Sequence, residues 1–153
     1  GRERKIQMEL AKKFKLTNYE APAGGCLLTD RNFSIKLKNF IENRDLSVED
    51  IDILKVGRHL KIEDVLVIIS RNGDENQILK QYNGDKFLKM FPIDISGPIG
   101  LIEKDSSEDV KREAGQILLT YTKVDRGVVG ISGDNFEVDS LKSKNDIKKY
   151  MIF

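Results

Sequence analysis

One cysteine, one histidine and three prolines occur among 153 residues. A single cysteine excludes an internal disulfide framework and points to a reducing compartment, so the cytoplasm is the expected location. One cysteine with one histidine also excludes a zinc site of the usual Cys/His type, and no metal is expected. No apolar run approaches the length of a membrane span, and the charged opening residues carry no signal-peptide pattern. A membrane partner is therefore not expected. Glycine-rich phosphate loops of the Walker and dinucleotide-binding types are missing, as are internal repeats. The adjacent acids Glu49-Asp50, Glu63-Asp64 and Glu108-Asp109 fall at caps or turns and form no catalytic pair. A hydrolase is rejected.

What is present describes an ordinary globular chain: 39% hydrophobic and 33% charged residues, with a net charge of +1. The length suits one domain, or one domain with a short piece attached, and can bury a real core. Near-neutrality hides an uneven distribution. Arg2, Arg4, Lys5, Lys12, Lys13 and Lys15 crowd the first fifteen residues, residues 42–52 are acidic, and residues 142–149 are basic again. Basic ends on a near-neutral domain suit a phosphate-backbone partner. Solvated helix faces are the plainer reading of any one cluster.

The periodicity divides the chain in two. Ile6, Leu10, Ala11 and Phe14 fall at helical spacing, and Phe33, Leu37, Phe40 and Ile41 form the stripe of a second helix opened by Asp30. A short third helix starts at Ser47, with Asp50 at the capping-box position. Beyond residue 57 the pattern turns to strands. Arg58 to Ser70 reads as a hairpin around Glu63-Asp64, its second strand apolar on both faces and so central. A helix follows over 74–82. Strands are expected at 86–91 and 99–103, and a longer helix capped by Ser106 buries Val110, Ala114, Ile117, Leu118 and Tyr121. A last hairpin turns at Gly133-Asp134-Asn135, and a final strand runs over 150–153. The expected class is α+β: a short helical N-terminal segment, then a mixed, largely antiparallel sheet of five to seven strands with two or three helices.

The boundary between the two parts is expected between Arg44 and Lys55. Between the first two helices lies a punctuated stretch, residues 21–30, which reads Ala-Pro-Ala-Gly-Gly-Cys-Leu-Leu-Thr-Asp. Pro22 resists helix and Gly24-Gly25 permits backbone angles closed to other residues, so the chain turns here. Cys26 follows the turn and lies close to a helix start, a setting that favours a reactive thiolate. A small buried side chain is the alternative.

These residues also resemble a known family. Residues 23–28, with Phe33 and Leu37 behind them, are similar to a segment of the tRNA 2-thiouridylases, in which a turn cysteine carries the persulfide sulfur destined for a tRNA uridine. A longer resemblance spans residues 1–104 through Pro22–Asp30, Phe33-Ser34, Leu54-Lys55-x-Gly57-Arg58-His59 and Arg71-Asn72-x-x-Glu75-Asn76. It is to the C-terminal part of thiouridylase-like PP-loop proteins, in which a domain similar to the NFACT RNA-binding domain follows the ATP pyrophosphatase domain. The resemblance implies that residues 1–49 correspond to the end of a catalytic domain and 50–153 to an NFACT-type RNA-binding domain. It makes Cys26 the counterpart of the persulfide cysteine. The Ser-Gly-Gly-x-Asp-Ser ATP loop and the upstream resolving cysteine are both missing from the sequence. By this reading the chain is a fragment or free-standing relative that holds no cofactor. ATP belongs to a catalytic domain elsewhere, and a PP-loop domain or a sulfur-donor protein is an expected partner, beside a second copy of the chain.

The residues expected to meet RNA, most specifically tRNA, are Arg2, Arg4, Lys12, Lys13, Arg58, His59, Arg71, Asn72 and Asn76. Arg58 and His59 open a strand at the sheet edge, where they can reach a phosphate or a stacked base. Arg71, Asn72, Glu75 and Asn76 cluster where a strand end meets a helix start, a good place to hold an anion. Helix capping explains Asn72 and Glu75 equally well but leaves Arg71 unexplained. Tyr82 and Tyr121 are assigned to the core. A Cys26–His59 nucleophile pair is a further arrangement. The competing reading is a protein-interaction domain without RNA binding.

Overall fold

Asp30 opens the first helix of the computed structural model, which describes residues 30–152. Its carboxylate accepts the Phe33 backbone N–H at 3.1 Å, satisfying one of the donors that every helix start leaves over. The helix that follows, α1 (Arg31–Asn43), buries Phe33, Leu37 and Phe40 at the expected spacing. Ser47 and Asp50 then form a capping box around the 3-10 turn Val48–Asp50, leading into α2 (Ile51–Leu54). The predicted helix over residues 3–14 and the turn at 21–29 lie outside the described residues.

Gly57 is the hinge between helices and sheet. Its φ of +80° is open to glycine, and an added Cβ would stand 2.8 Å from Ile68 Cγ2. Six strands follow: β1 (Arg58–Ile62), β2 (Val65–Ile69), β3 (Phe87–Pro92), β4 (Gly100–Glu103), β5 (Arg126–Ile131) and β6 (Asp134–Asp139). They pair in the order β1-β2-β4-β3-β5-β6, and every pairing is antiparallel. The α+β class with a largely antiparallel sheet is thus realised, with α3 (Gly73–Lys80) between β2 and β3 and α4 (Glu108–Thr120) between β4 and β5.

Each face of the sheet carries its own core. Leu66, Ile68 and Leu101 pack against Phe33, Leu37 and Phe40 of α1, Leu54 of α2 and Leu79 of α3. Val67, Ile69 and Ile102 point the other way, onto Val110, Ala114, Ile117 and Leu118 of α4. The alternation explains why β2 is apolar at successive positions, since it is covered on both sides. Each fully buried aliphatic side chain contributes roughly 1.5–3 kcal/mol, so α1 and α4 are fixed to the sheet chiefly by their stripes.

Three expected details differ. Ser107, not Ser106, caps α4, its hydroxyl accepting the Val110 N–H at 3.2 Å. Ser106 instead donates to the Glu103 carbonyl at 2.8 Å and closes the preceding turn. The β5–β6 turn is Ser132-Gly133 alone, with Ile131 opposite Asp134. Both turn residues have positive φ, 51° and 86°, the mirror-image turn whose twist matches paired strands. The expected closing strand is a 3-10 helix (Lys144–Tyr150) followed by one bridge from Met151 to Leu60, which covers part of the β1 edge.

Candidate nucleic-acid interface

One end of the sheet gathers the start of β1, the end of β2 and the start of α3. Asn72 caps α3, accepting the Glu75 N–H at 2.9 Å through Oδ1. Capping turns the next residues back over the strand end, where the Glu75 carboxylate meets Arg71. Oε1 accepts the Arg71 backbone N–H at 2.8 Å, and the guanidinium donates to Oε1 at 3.2 Å and Oε2 at 2.9 Å. This fork-to-fork pair accounts for an arginine that capping alone did not explain. Burial pushes the Glu75 carboxyl up, but the Arg71 side chain and the Gly57 and Arg71 backbone N–H groups outweigh it and hold the carboxyl below its ordinary value.

Arg58 stands beside this pair. Its guanidinium lies over the Tyr121 ring with Cζ 3.9 Å from the centroid, and Nη1 donates to the Ser70 carbonyl at 2.6 Å. Tyr121 comes from the C-cap of α4. Lys144 reaches the same ring from the 3-10 helix, its Nζ 5.9 Å from the centroid. Neither Arg58 nor Lys144 forms an ion pair with a carboxylate among the described residues. Burial lowers the Arg58 pKa, opposed by Tyr121, and Arg71 lowers it further.

A cavity of about 320 Å³ opens among these groups, lined by Arg58, Arg71, Asn72, Asn76, Tyr121 and Lys144 together with the Ser96-Gly97-Pro98 loop. Four of the expected site residues thus converge: Arg58, Arg71, Asn72 and Asn76. His59 does not. Successive strand residues face opposite ways, so as Arg58 turns to the cavity His59 enters the core and is fully buried. Its Nε2 sits 3.1 Å from the carbonyls of Ile53 and Val56, and so carries the proton. Burial, with the nearby Lys36 charge, pushes its pKa down to about 3. A direct contact between His59 and RNA is closed. Lys36 is itself buried, its ammonium donating to the Gly57 carbonyl at 2.9 Å, and burial with the Arg71 charge lowers its pKa to about 8.

Arg2, Arg4, Lys12, Lys13 and Cys26 lie outside the described residues. Tyr121 and Lys144 were missed as site residues. Helical spacing assigned Tyr121 to the core, and it does pack against the α4-side core, but as the C-cap residue it is only half-buried and also lines the cavity. The basic run over 142–149 was the signal for Lys144. Among the described residues no three His, Cys, Asp or Glu side chains converge as metal ligands, and no helix is long and apolar enough to cross a membrane.

Comparison with known proteins places the fold. A search of curated proteins returned no match. Among solved structures, the C-terminal part of the fibronectin/fibrinogen-binding protein from Streptococcus suis is similar, with a TM-score of 0.53 at 15% identity. The match covers 78% of this chain and 65% of that one, so the chain spans just under two thirds of that structure's length. At this identity the likeness shows a shared fold. The model of the NFACT protein RNA binding domain matches residues 57–151, which take in all six strands and every residue that lines the cavity. The chain belongs to the NFACT RNA-binding domain family.

Proposed function

We propose that this chain binds structured RNA, tRNA above all, and that the cavity bounded by Arg58, Arg71, Tyr121 and Lys144 is where it meets the phosphate backbone. The observation that carries this reading is Arg58: a guanidinium held by Ser70 and Tyr121, with no carboxylate partner among the described residues, lining an open cavity. A cation fixed in that way contacts an anionic ligand without first being ordered. Asn72 and Asn76 add neutral donors, and Arg71 keeps an exposed flank although Glu75 holds its inner one. Family membership supplies the RNA; the tRNA preference rests on the thiouridylase resemblance. On that resemblance the RNA is presented to a sulfur-inserting PP-loop domain that binds ATP, with Cys26 as the persulfide carrier and the cytoplasm as the setting.

The test is binding of the chain to bulk tRNA over a salt series, beside duplex DNA. A preference for tRNA, a log–log slope that reports several displaced counterions and weakening by Arg58→Glu support the reading. Absence of binding at low salt, or affinity untouched by Arg58→Glu and Arg71→Glu, moves the chain to a protein-interaction role. The persulfide role has its own test in alkylation kinetics against pH. A Cys26 apparent pKa at or above the free-thiol value of about 8.5 would remove it.

A further inference from the structure

The free polar groups around the Arg58 cavity are unusually one-sided. No carboxylate among the described residues lines it. Asn72 Oδ1 is occupied by the Glu75 N–H, which leaves its amide NH2 as the unused end. Asn76 Oδ1 is occupied by the Ser70 hydroxyl, which also accepts the Ile99 N–H at 3.0 Å, so the Asn76 NH2 is likewise unused. Arg58 spends one nitrogen on the Ser70 carbonyl and keeps the others, and Lys144 keeps its ammonium. The side chains with capacity to spare are therefore N–H donors, joined by the Ser96 and Tyr121 hydroxyls, which can donate as well as accept. Arg58 and Lys144 bring two positive charges without carboxylate partners among the described residues, whereas the charge of Arg71 is matched by Glu75.

From this we propose that the cavity takes the phosphorylated end of an RNA strand, a terminal phosphate monoester, and not an internal phosphodiester. The proposal rests on the RNA-binding reading above and sharpens it. A diester inside a chain carries one negative charge and two unesterified oxygens. A monoester carries close to two charges at pH 7, with three unesterified oxygens, each a strong acceptor. Two uncompensated cations and two oriented amide donors match the monoester in both charge and acceptor number. The Asn72 and Asn76 amides are oriented by bonds within the protein, and Arg58 by its stack on Tyr121, so the donors are in place before the ligand arrives.

The experiment compares one single-stranded RNA sequence made with a 5′-phosphate, with a 3′-phosphate, or with hydroxyls at both ends, titrated against the whole chain by fluorescence anisotropy. One phosphorylated form is expected to bind about tenfold tighter than the doubly hydroxylated form, the effect of one net charge-assisted hydrogen bond. Which end gains identifies the strand polarity at the cavity. Inorganic phosphate should compete away the gain. Lowering the pH through the second phosphate pKa of about 6 should shrink it, since the monoester then carries one charge. Lys144→Glu, at an exposed position, should equalise the three RNAs with the fold intact. Equal binding of all three by the unaltered chain, with Arg58→Glu weakening each alike, overturns the end-phosphate proposal and leaves the RNA-binding reading standing. No binding of any of the three or of tRNA overturns both.

Discussion

Arg58, from the first strand, lies over the ring of Tyr121, from the end of the last α-helix, with 3.9 Å between guanidinium carbon and ring centroid. The contact joins the start of the family-matched region to the end of α4, and both residues line one cavity. It also decides what Arg58 can do. A free arginine loses up to about 2 kcal/mol of rotamer entropy when a ligand fixes it, and the stack and the Ser70 hydrogen bond remove much of that cost beforehand.

Replacing the ring tests this directly. Tyr121→Leu keeps an apolar side chain at the partly buried end of α4 but removes the surface on which Arg58 rests. A cation–π contact of this kind contributes about 0.5–2 kcal/mol, so RNA affinity should fall roughly two- to thirty-fold. Thermal stability should change little. Anisotropy titration beside a melting curve reads both, and a lowered Tm with unchanged affinity would make Tyr121 a core residue only.

Glu75→Gln should move stability and binding in opposite directions. The carboxylate is buried beneath Arg71 and accepts hydrogen bonds that hold its pKa below the ordinary carboxylate value. A depressed carboxyl stabilises the fold at neutral pH, and that contribution is lost as pH falls through the lowered folded value. The amide cannot replace the charge-assisted bonds, so unfolding should become easier by about 1–3 kcal/mol and less sensitive to acid. Arg71, released from its counter-charge, should bind RNA more tightly at low salt, with a log–log slope steeper by about 0.7–0.9. A fall in affinity would mean instead that Glu75 positions Arg71 for its ligand.

Most of the architecture was legible in the sequence because its signals are local. The Phe33-Leu37-Phe40 stripe, the Glu63-Asp64 turn and the doubly apolar run at 65–69 each report their own environment. The errors arise where two neighbours compete. Ser106 and Ser107 can both cap α4, and only the preceding turn, which engages the Ser106 hydroxyl, selects Ser107. Positive φ at Ser132 cannot be read from serine, so the tighter turn was not anticipated. At the site, the 71–76 cluster was expected at one sheet end, where a strand runs into a helix; that Arg58 joins it follows from the β1–β2 register, which sets Arg58 opposite Ile69. His59 went inside, and Tyr121, while packing against the core as expected, also gives one face to the cavity. Strand phase decided the first, and the second depended on where α4 ends relative to the sheet.

That buried histidine gives the sharpest prediction about stability. Folded, His59 stays neutral down to about pH 3, whereas the unfolded chain takes up its proton near 6.5. Between those values the unfolded state binds more protons than the folded one, so stability falls as pH falls. By pH 5 the loss from this residue alone should reach about 2 kcal/mol, set by the unfolded pKa so long as the folded value stays well below 5. His59→Leu removes the proton uptake but strands the Ile53 and Val56 carbonyls, which should cost about 1–3 kcal/mol at pH 7.5. Urea unfolding of both proteins at pH 7.5, 6 and 5 separates the two effects. The unaltered chain should lead at pH 7.5, and its lead should shrink or reverse by pH 5. A gap that stays constant across the series would show that His59 is protonated in the fold, its charge held by the Ile53 and Val56 carbonyls against the repulsion of Lys36.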